Sequence, residues 1–204
     1  VPYKTLDDVV EHETEVRRSR FVCAVAPAPS EQAAREFITA RRARYADATH
    51  NCTAYVIGAG ARRSDDDGEP GGTAGTPMLD VLLKRGYADV VTVVTRFFGG
   101  VLLGAGGLVR AYGGAVGETL DRVTPVTMVE ARLVTVSIDH AHAGRLENDL
   151  RGRHDVRGVA YGSEVSFDVA VADPAAFDEW LATATAGRAR ASAGEPLFVR
   201  AEDA

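Results

Sequence analysis

Between Arg96 and Val116 the chain reads RFFGGVLLGAGGLVRAYGGAV. Gly99, Gly100, Gly104, Gly106, Gly107, Gly113 and Gly114 interrupt apolar residues there, and only Arg96 and Arg110 carry charge. Each glycine inside a helix costs about 1 kcal/mol relative to alanine. A fold that keeps so many must use them, for special dihedrals or for close approach of a backbone or a ligand. The segment follows a β-branched run, Val90–Thr95, so it reads as a buried strand, a loop, and a helix from about Leu108 to Arg122. It is the expected working surface.

Composition narrows the class. With 204 residues, 46% hydrophobic and 25% charged, the chain has an ordinary globular make-up and room for two small domains. No apolar run approaches the ~18 residues of a membrane span, and no leader pattern opens the chain, so a cytoplasmic protein is expected. Cys23 and Cys52 lack CxxC spacing, which argues against a disulfide framework or thiolate-bound zinc. Residues 1–125 hold 15 Lys and Arg against 16 Asp and Glu, and residues 126–204 hold 8 against 13. The global basic character of a nonspecific DNA binder is absent, so a nucleic-acid site must be a local patch in the first portion.

The order of elements predicts two domains. Phe21–Ala26, after the basic Arg17, Arg18 and Arg20, reads as a strand stopped by Pro27 and Pro29. Ser30 reads as the N-cap of a helix reaching about Ala46, His50–Ile57 as a second strand, and Gly58–Thr76 as a polar loop. Thr76-Pro77 predicts a helix start, with Met78, Leu79, Leu82 and Leu83 on its apolar face and Gly86 at its end. After a boundary at Pro125 come strand 129–138, helix 141–151, strands 156–161 and 165–171, helix 174–184 and strand 195–200. That βαββαβ order predicts a ferredoxin-like domain.

Two glycine loops feed helix N-termini: Ser64–Leu79, SDDDGEPGGTAGTPML, and Gly99–Gly107. Exposed amides there can hold phosphate or carboxylate. Neither loop is a nucleotide fingerprint, since no Gly-Lys-Ser/Thr follows and Val109 stands where a third Rossmann glycine belongs. Four segments, SRF (Ser19–Phe21), HNCTAY (His50–Tyr55), DDGEPGGTAGTPML (Asp66–Leu79) and Arg96–Val116, resemble the signatures of the YigZ/IMPACT family. Their order and spacing agree, and the resemblance covers nearly the whole chain. It implies an α+β fold in two domains: a ribosomal-protein-like α/β first domain over 1–125, and over 126–204 a ferredoxin-like βαββαβ second domain similar to the last domain of elongation factor G. It also implies non-enzymatic work in translation, with RNA or the ribosome as partner. One departure is Thr76, where many relatives are expected to carry a basic residue.

Each candidate residue has two readings. Arg96 and Phe98 share a face of the strand end, either as phosphate-pairing arginine and stacking aromatic or as salt-bridged arginine and core ring. Arg110, Gly113, Gly114, Gly117 and Asp121 share a helix face, either open to a nucleic-acid backbone, with Arg110 on phosphate, or pressed against a sheet or helix. The binding surface is expected at Arg96, Phe98, Gly99, Gly100, Gly104, Gly106, Gly107 and Arg110, joined by Gly71, Gly72, Thr73 and Gly75. Within the run Asp65, Asp66, Asp67 and Glu69, the candidates for magnesium are Asp66 and Glu69. The alternative is a carboxylate that pins the glycine loop through backbone N–H groups.

His50 and Cys52, at i and i+2, lack the third group a nucleophile pair needs, and His140 and His142 lack a third metal ligand. The leading expectation is therefore a protein without catalytic residues or a required cofactor, with the acidic second domain free for a protein partner and no membrane role. The rival is a small-molecule binder or enzyme that holds phosphate on the loop amides and magnesium at the acidic loop.

Overall fold

The computed structural model describes residues 1–58 and 60–203. The chain divides into two compact units. The first is Tyr3–Val126; the second gathers the chain from Thr127 on, with Val1–Pro2.

The first unit runs β1 (Tyr3–Thr5), β2 (Val10–Val16), β3 (Ser19–Pro27), α1 (Glu31–Arg44), β4 (His50–Ile57), β5 (Ala61–Asp65), α2 (Gly75–Lys84), β6 (Val90–Phe97) and α3 (Ala105–Leu120). Its antiparallel sheet has the order β2-β3-β6-β4-β5. Both faces are covered. Phe21, Cys23, Val25, Cys52 and Val94 pack under Met78 and Leu82 of α2 and under Leu108, Tyr112 and Val116 of α3. Ala26, Tyr55 and Val91 pack on the other face with Ala34, Phe37 and Ile38 of α1. Double coverage explains why β3, β4 and β6 read as near-continuous apolar runs. Each large side chain enclosed this way is worth about 1.5–3 kcal/mol.

Besides the three-residue β1, two strands escape the sequence reading. Over β2, VEHETEV, the alternate residues Val10, His12, Thr14 and Val16 are half-buried, a pattern whose polar members hide the alternation. The second, β5, lies inside the expected loop: ARRSD has one half-buried residue, and its backbone ladder to β4 does the work an apolar face would do elsewhere.

The second unit runs β7 (Val126–Ile138), α4 (His140–Arg151), β8 (Asp155–Tyr161), β9 (Val165–Val171), α5 (Pro174–Thr185) and β10 (Arg190–Arg200). Within it β7 lies between β10 and β9, and β9 pairs with β8, every pair antiparallel. Two helices packed on a β10-β7-β9-β8 sheet are the ferredoxin-like arrangement. Val136, Ile138, Leu150, Phe167, Phe177 and Leu181 form its core. Asp139 and Asp173 cap α4 and α5 by accepting from the N–H groups of His142 and Ala176. The last strand starts five residues before the expected Glu195, because β7 offers a ladder to a segment of small residues with no strand pattern of its own.

Candidate functional site

The acidic loop is a clasp. Asp66 Oδ1 accepts from the N–H groups of Ala74 (3.1 Å) and Gly75 (2.8 Å), and Oδ2 from Gly72 (2.7 Å). Burial works against its charge, but these donors outweigh it and hold the carboxyl below its ordinary range. Asp66 thereby caps α2 from a distance. The expected hydroxyl cap at Thr76 is not used: the helix begins at Gly75, and its N-cap residue Ala74 has no side chain to offer. Gly75 is required, because a Cβ there would lie 2.7 Å from the backbone nitrogen of Asp65. Asp67 Oδ2 accepts from the N–H of Asn51 (2.6 Å), and Thr73 donates its hydroxyl to the carbonyl of Pro70 (2.6 Å).

Glu69, three residues on, is buried. Its Oε1 accepts from Arg96 Nη1 and from the Tyr112 hydroxyl, both at 2.7 Å. Arg96 is 5% exposed, and its Nη2 donates to Ser19 Oγ at 3.3 Å. The phosphate-pairing expectation for Arg96 is therefore corrected: it is buried near the end of the central strand β6, where an unpaired guanidinium is untenable, and its charge is spent on Glu69. Asp66 and Glu69 are likewise committed to protein donors. Among the described residues no cluster of three His, Cys, Asp or Glu side chains is placed to hold a metal.

His50 and Cys52 do not form a nucleophile pair. His50 Nδ1 donates to the carbonyl of Asp67 (2.7 Å), and Cys52 Sγ donates to that of Asp66 (3.0 Å). Burial pushes the Cys52 thiol up to about 12, with Glu69, Asp67 and Asp66 adding to the effect. His142 is held by Asp139, and His140 by the carbonyl of Gly162.

Over this network lies a cleft of about 400 Å³ between the two glycine loops. His50, Glu69 and Arg96 line it beside Phe98, Leu102 and Leu108. Its rim is unusual: Phe98 is 46% exposed and Leu102 81% exposed, with Val101 and Val109 also at the surface. The rim is held by backbone contacts. Thr49 Oγ1 accepts from the N–H of Phe98, and Ser19 Oγ from that of Gly99. Gly99 touches the β2–β3 turn so closely that a Cβ would lie 1.9 Å from the Arg18 carbonyl oxygen. That turn is Arg17-Arg18, both with positive φ.

The N-terminus of α3 completes the edge. Gly104 leads into it with no side-chain cap, and Gly106 sits under the Arg110 guanidinium. Arg17, Arg18 and Arg110 are exposed and make no side-chain hydrogen bond, ion pair or ring contact among the described residues.

The Impact N-terminal domain matches residues 17–120, which contain every element of this site. The chain belongs to the IMPACT family. A domain of unknown function, DUF1949, matches residues 136–188. The chain is 42% identical to IMPACT family member YvyE of Bacillus subtilis (strain 168), across 97% of this chain and 93% of that relative. To IMPACT family member YigZ of Escherichia coli (strain K12) it is 45% identical, across 54% of this chain and 56% of the relative. A crystal structure of a hypothetical protein is similar, with a TM-score of 0.70 at 33% identity over 95% of this chain and 98% of the other.

In this IMPACT domain the glycine loops separate by role. Gly71 and Gly72 lie on the exposed first loop, while Gly99, Gly100, Gly104, Gly106 and Gly107 shape the second and the start of α3. Gly113 faces Val81 and Pro77 of α2, and Gly117 meets the Arg85 guanidinium, so part of the glycine face serves helix packing. Ser19, Tyr112 and Leu102 belong to the site and were not singled out from the chain alone. Ser19 and Tyr112 lie far from Glu69 in sequence, whereas the apolar run Val101-Leu102-Leu103 inside a glycine loop is a readable signal. No helix among the described residues is long and apolar enough to cross a membrane.

Proposed function

We propose that this IMPACT family chain is a non-enzymatic, cytoplasmic, translation-associated protein that binds RNA, free or within the ribosome, through the rim of the first unit's cleft. One observation carries the reading. Exposed Phe98 and Leu102 lie on the loop whose Gly99 touches the Arg17-Arg18 turn and which leads into the helix carrying Arg110, and these three arginines have no partner among the described residues. Aromatic and apolar faces for bases, with free guanidinium groups for phosphates, are the two components an RNA-binding surface needs. The resemblance to a translation-linked family points the same way. The acidic second unit is the matching candidate for a protein contact.

The test is sedimentation with ribosomes across a salt series. Arg110→Ala combined with Arg17→Gly and Arg18→Gly should weaken binding and flatten its salt dependence. Glycine suits the two turn positions, whose φ values are positive. Wild-type protein that stays in the supernatant at low salt refutes the reading.

A second reading, a binder or enzyme for a small phosphate-bearing ligand, draws support from the cleft itself. Its magnesium component has little left to use, since Asp66 and Glu69 are engaged by the chain. Saturable binding of a nucleotide without ribosome association would favour it.

A further inference from the structure

We infer that the cleft is a base pocket. It takes one unstacked nucleotide of a single-stranded RNA and favours a base bearing an exocyclic amino group. This rests on the RNA-binding reading above.

Shape comes first. A cleft of about 400 Å³ is at the small end of ligand sites, which span about 300–1,000 Å³. It has room for one nucleotide and none for a stacked, paired duplex. Its walls point the same way. A duplex would lay sugars and phosphates against Phe98 and Leu102, and these apolar surfaces gain nothing from phosphate. A splayed base offers a π-face to the Phe98 ring and apolar contact to Leu102. The flanking Arg17, Arg18 and Arg110 are then left for the phosphates on either side.

The floor sets which base fits. His50 Nδ1 donates to a carbonyl, so in the neutral ring Nε2 is an acceptor. Glu69 Oε1 already accepts twice, and its Oε2 has no donor but faces His50 Nε2 at 3.8 Å. Arg96 gives one N–H of Nη1 to Glu69 and one of Nη2 to Ser19, and its Nε is enclosed. The cleft thus presents two adjacent acceptors, His50 Nε2 and Glu69 Oε2. An amino group carries two hydrogens and satisfies both. Cytosine has that group where uracil has a carbonyl oxygen, which the same two acceptors would repel.

The experiment is fluorescence anisotropy on the full chain with labelled oligocytidine, oligouridine and a mixed-sequence RNA duplex of equal length. Cytosine and uracil are alike in size, so their ratio isolates the amino group. Oligocytidine should bind about tenfold tighter than oligouridine, and the duplex more weakly than oligocytidine. Phe98→Ala, at an exposed position, should weaken oligocytidine binding about tenfold. Glu69→Gln should bring the cytidine-to-uridine ratio to about one. If that variant does not fold, the wild-type ratio and Phe98→Ala still decide. Equal affinity for the two oligonucleotides, a preference for duplex, or an unaffected Phe98→Ala overturns the base pocket while leaving RNA binding standing. No binding to any RNA or to ribosomes overturns both.

Discussion

Arg96→Met should unfold the first unit far more readily than loss of one surface arginine would. Arg96 and Glu69 side chains are each almost fully enclosed, 2.7 Å apart. Removing the guanidinium leaves a buried carboxylate without its counter-charge, with the Tyr112 hydroxyl as its remaining hydrogen-bond donor among the described residues. Breaking one side of such a pair costs about 3–5 kcal/mol. Glu69→Leu should cost a similar amount, since it strands the arginine. The double variant removes both desolvation penalties and leaves only Ser19 and Tyr112 short of a partner, about 1–3 kcal/mol. The cycle should therefore show strong coupling, with the double variant more stable than either single one.

For a unit of this size, 3–5 kcal/mol is a fall in Tm on the order of 10–20 °C. Calorimetry and urea unfolding by circular dichroism measure it. Trp180, the single tryptophan, packs against Phe177 in the second unit, so its emission follows that unit separately. A loss under about 1 kcal/mol for Arg96→Met, or additive single variants, would refute the buried-pair argument. It would also return Arg96 to the list of residues available to a ligand.

Three further outcomes follow from the loops. The Asp66 carboxyl binds its proton less tightly folded than unfolded, so its contribution is complete above the ordinary value of about 3.9 and is lost as pH falls from there through the lowered folded value. Asp66→Asn should cost about 1–2 kcal/mol at neutral pH and flatten the acid limb of a stability-versus-pH curve; an unchanged limb would contradict the clasp. Gly99→Ala, which puts a methyl group into the Arg18 carbonyl, should cost about 3 kcal/mol in urea unfolding and shift the rim in a crystal structure. A silent Gly99→Ala would mean the turn and loop are not in contact. Burial raises the Cys23 and Cys52 thiols to about 11 and about 12, so iodoacetamide at mildly alkaline pH should label neither until urea is added. Mass spectrometry that finds native Cys52 alkylated would reopen the nucleophile question.

Much of the fold was legible because its signals are local. The β4 and β9 bounds were readable to the residue from apolar runs between turn formers. The serine cap placed the start of α1, and the starts of α4 and α5 were read within a residue. The α2 start was read two residues late because its cap is not local: Asp66 lies nine positions before Gly75. The edge strand β5 was invisible because a ladder to a neighbour leaves no periodicity in ARRSD.

The candidate site divides the same way. The glycine-rich segments as the candidate site, a carboxylate clasping one loop, and Phe98 beside an arginine are all readings that follow from residue types and spacing. Which arginine is free does not. Arg96 and Arg110 look equivalent along the chain, yet one is buried near the end of the central strand of a covered sheet and the other is exposed on the second turn of a helix. Charge in a covered sheet must find a partner, and only folding brings Glu69, Ser19 and Tyr112 to Arg96 from three separate segments. The sequence by itself determined the elements, because local propensity and periodicity act within a few residues. Tertiary structure alone decided which charges are spent and which remain for a ligand, because burial and pairing depend on what the fold packs around each group.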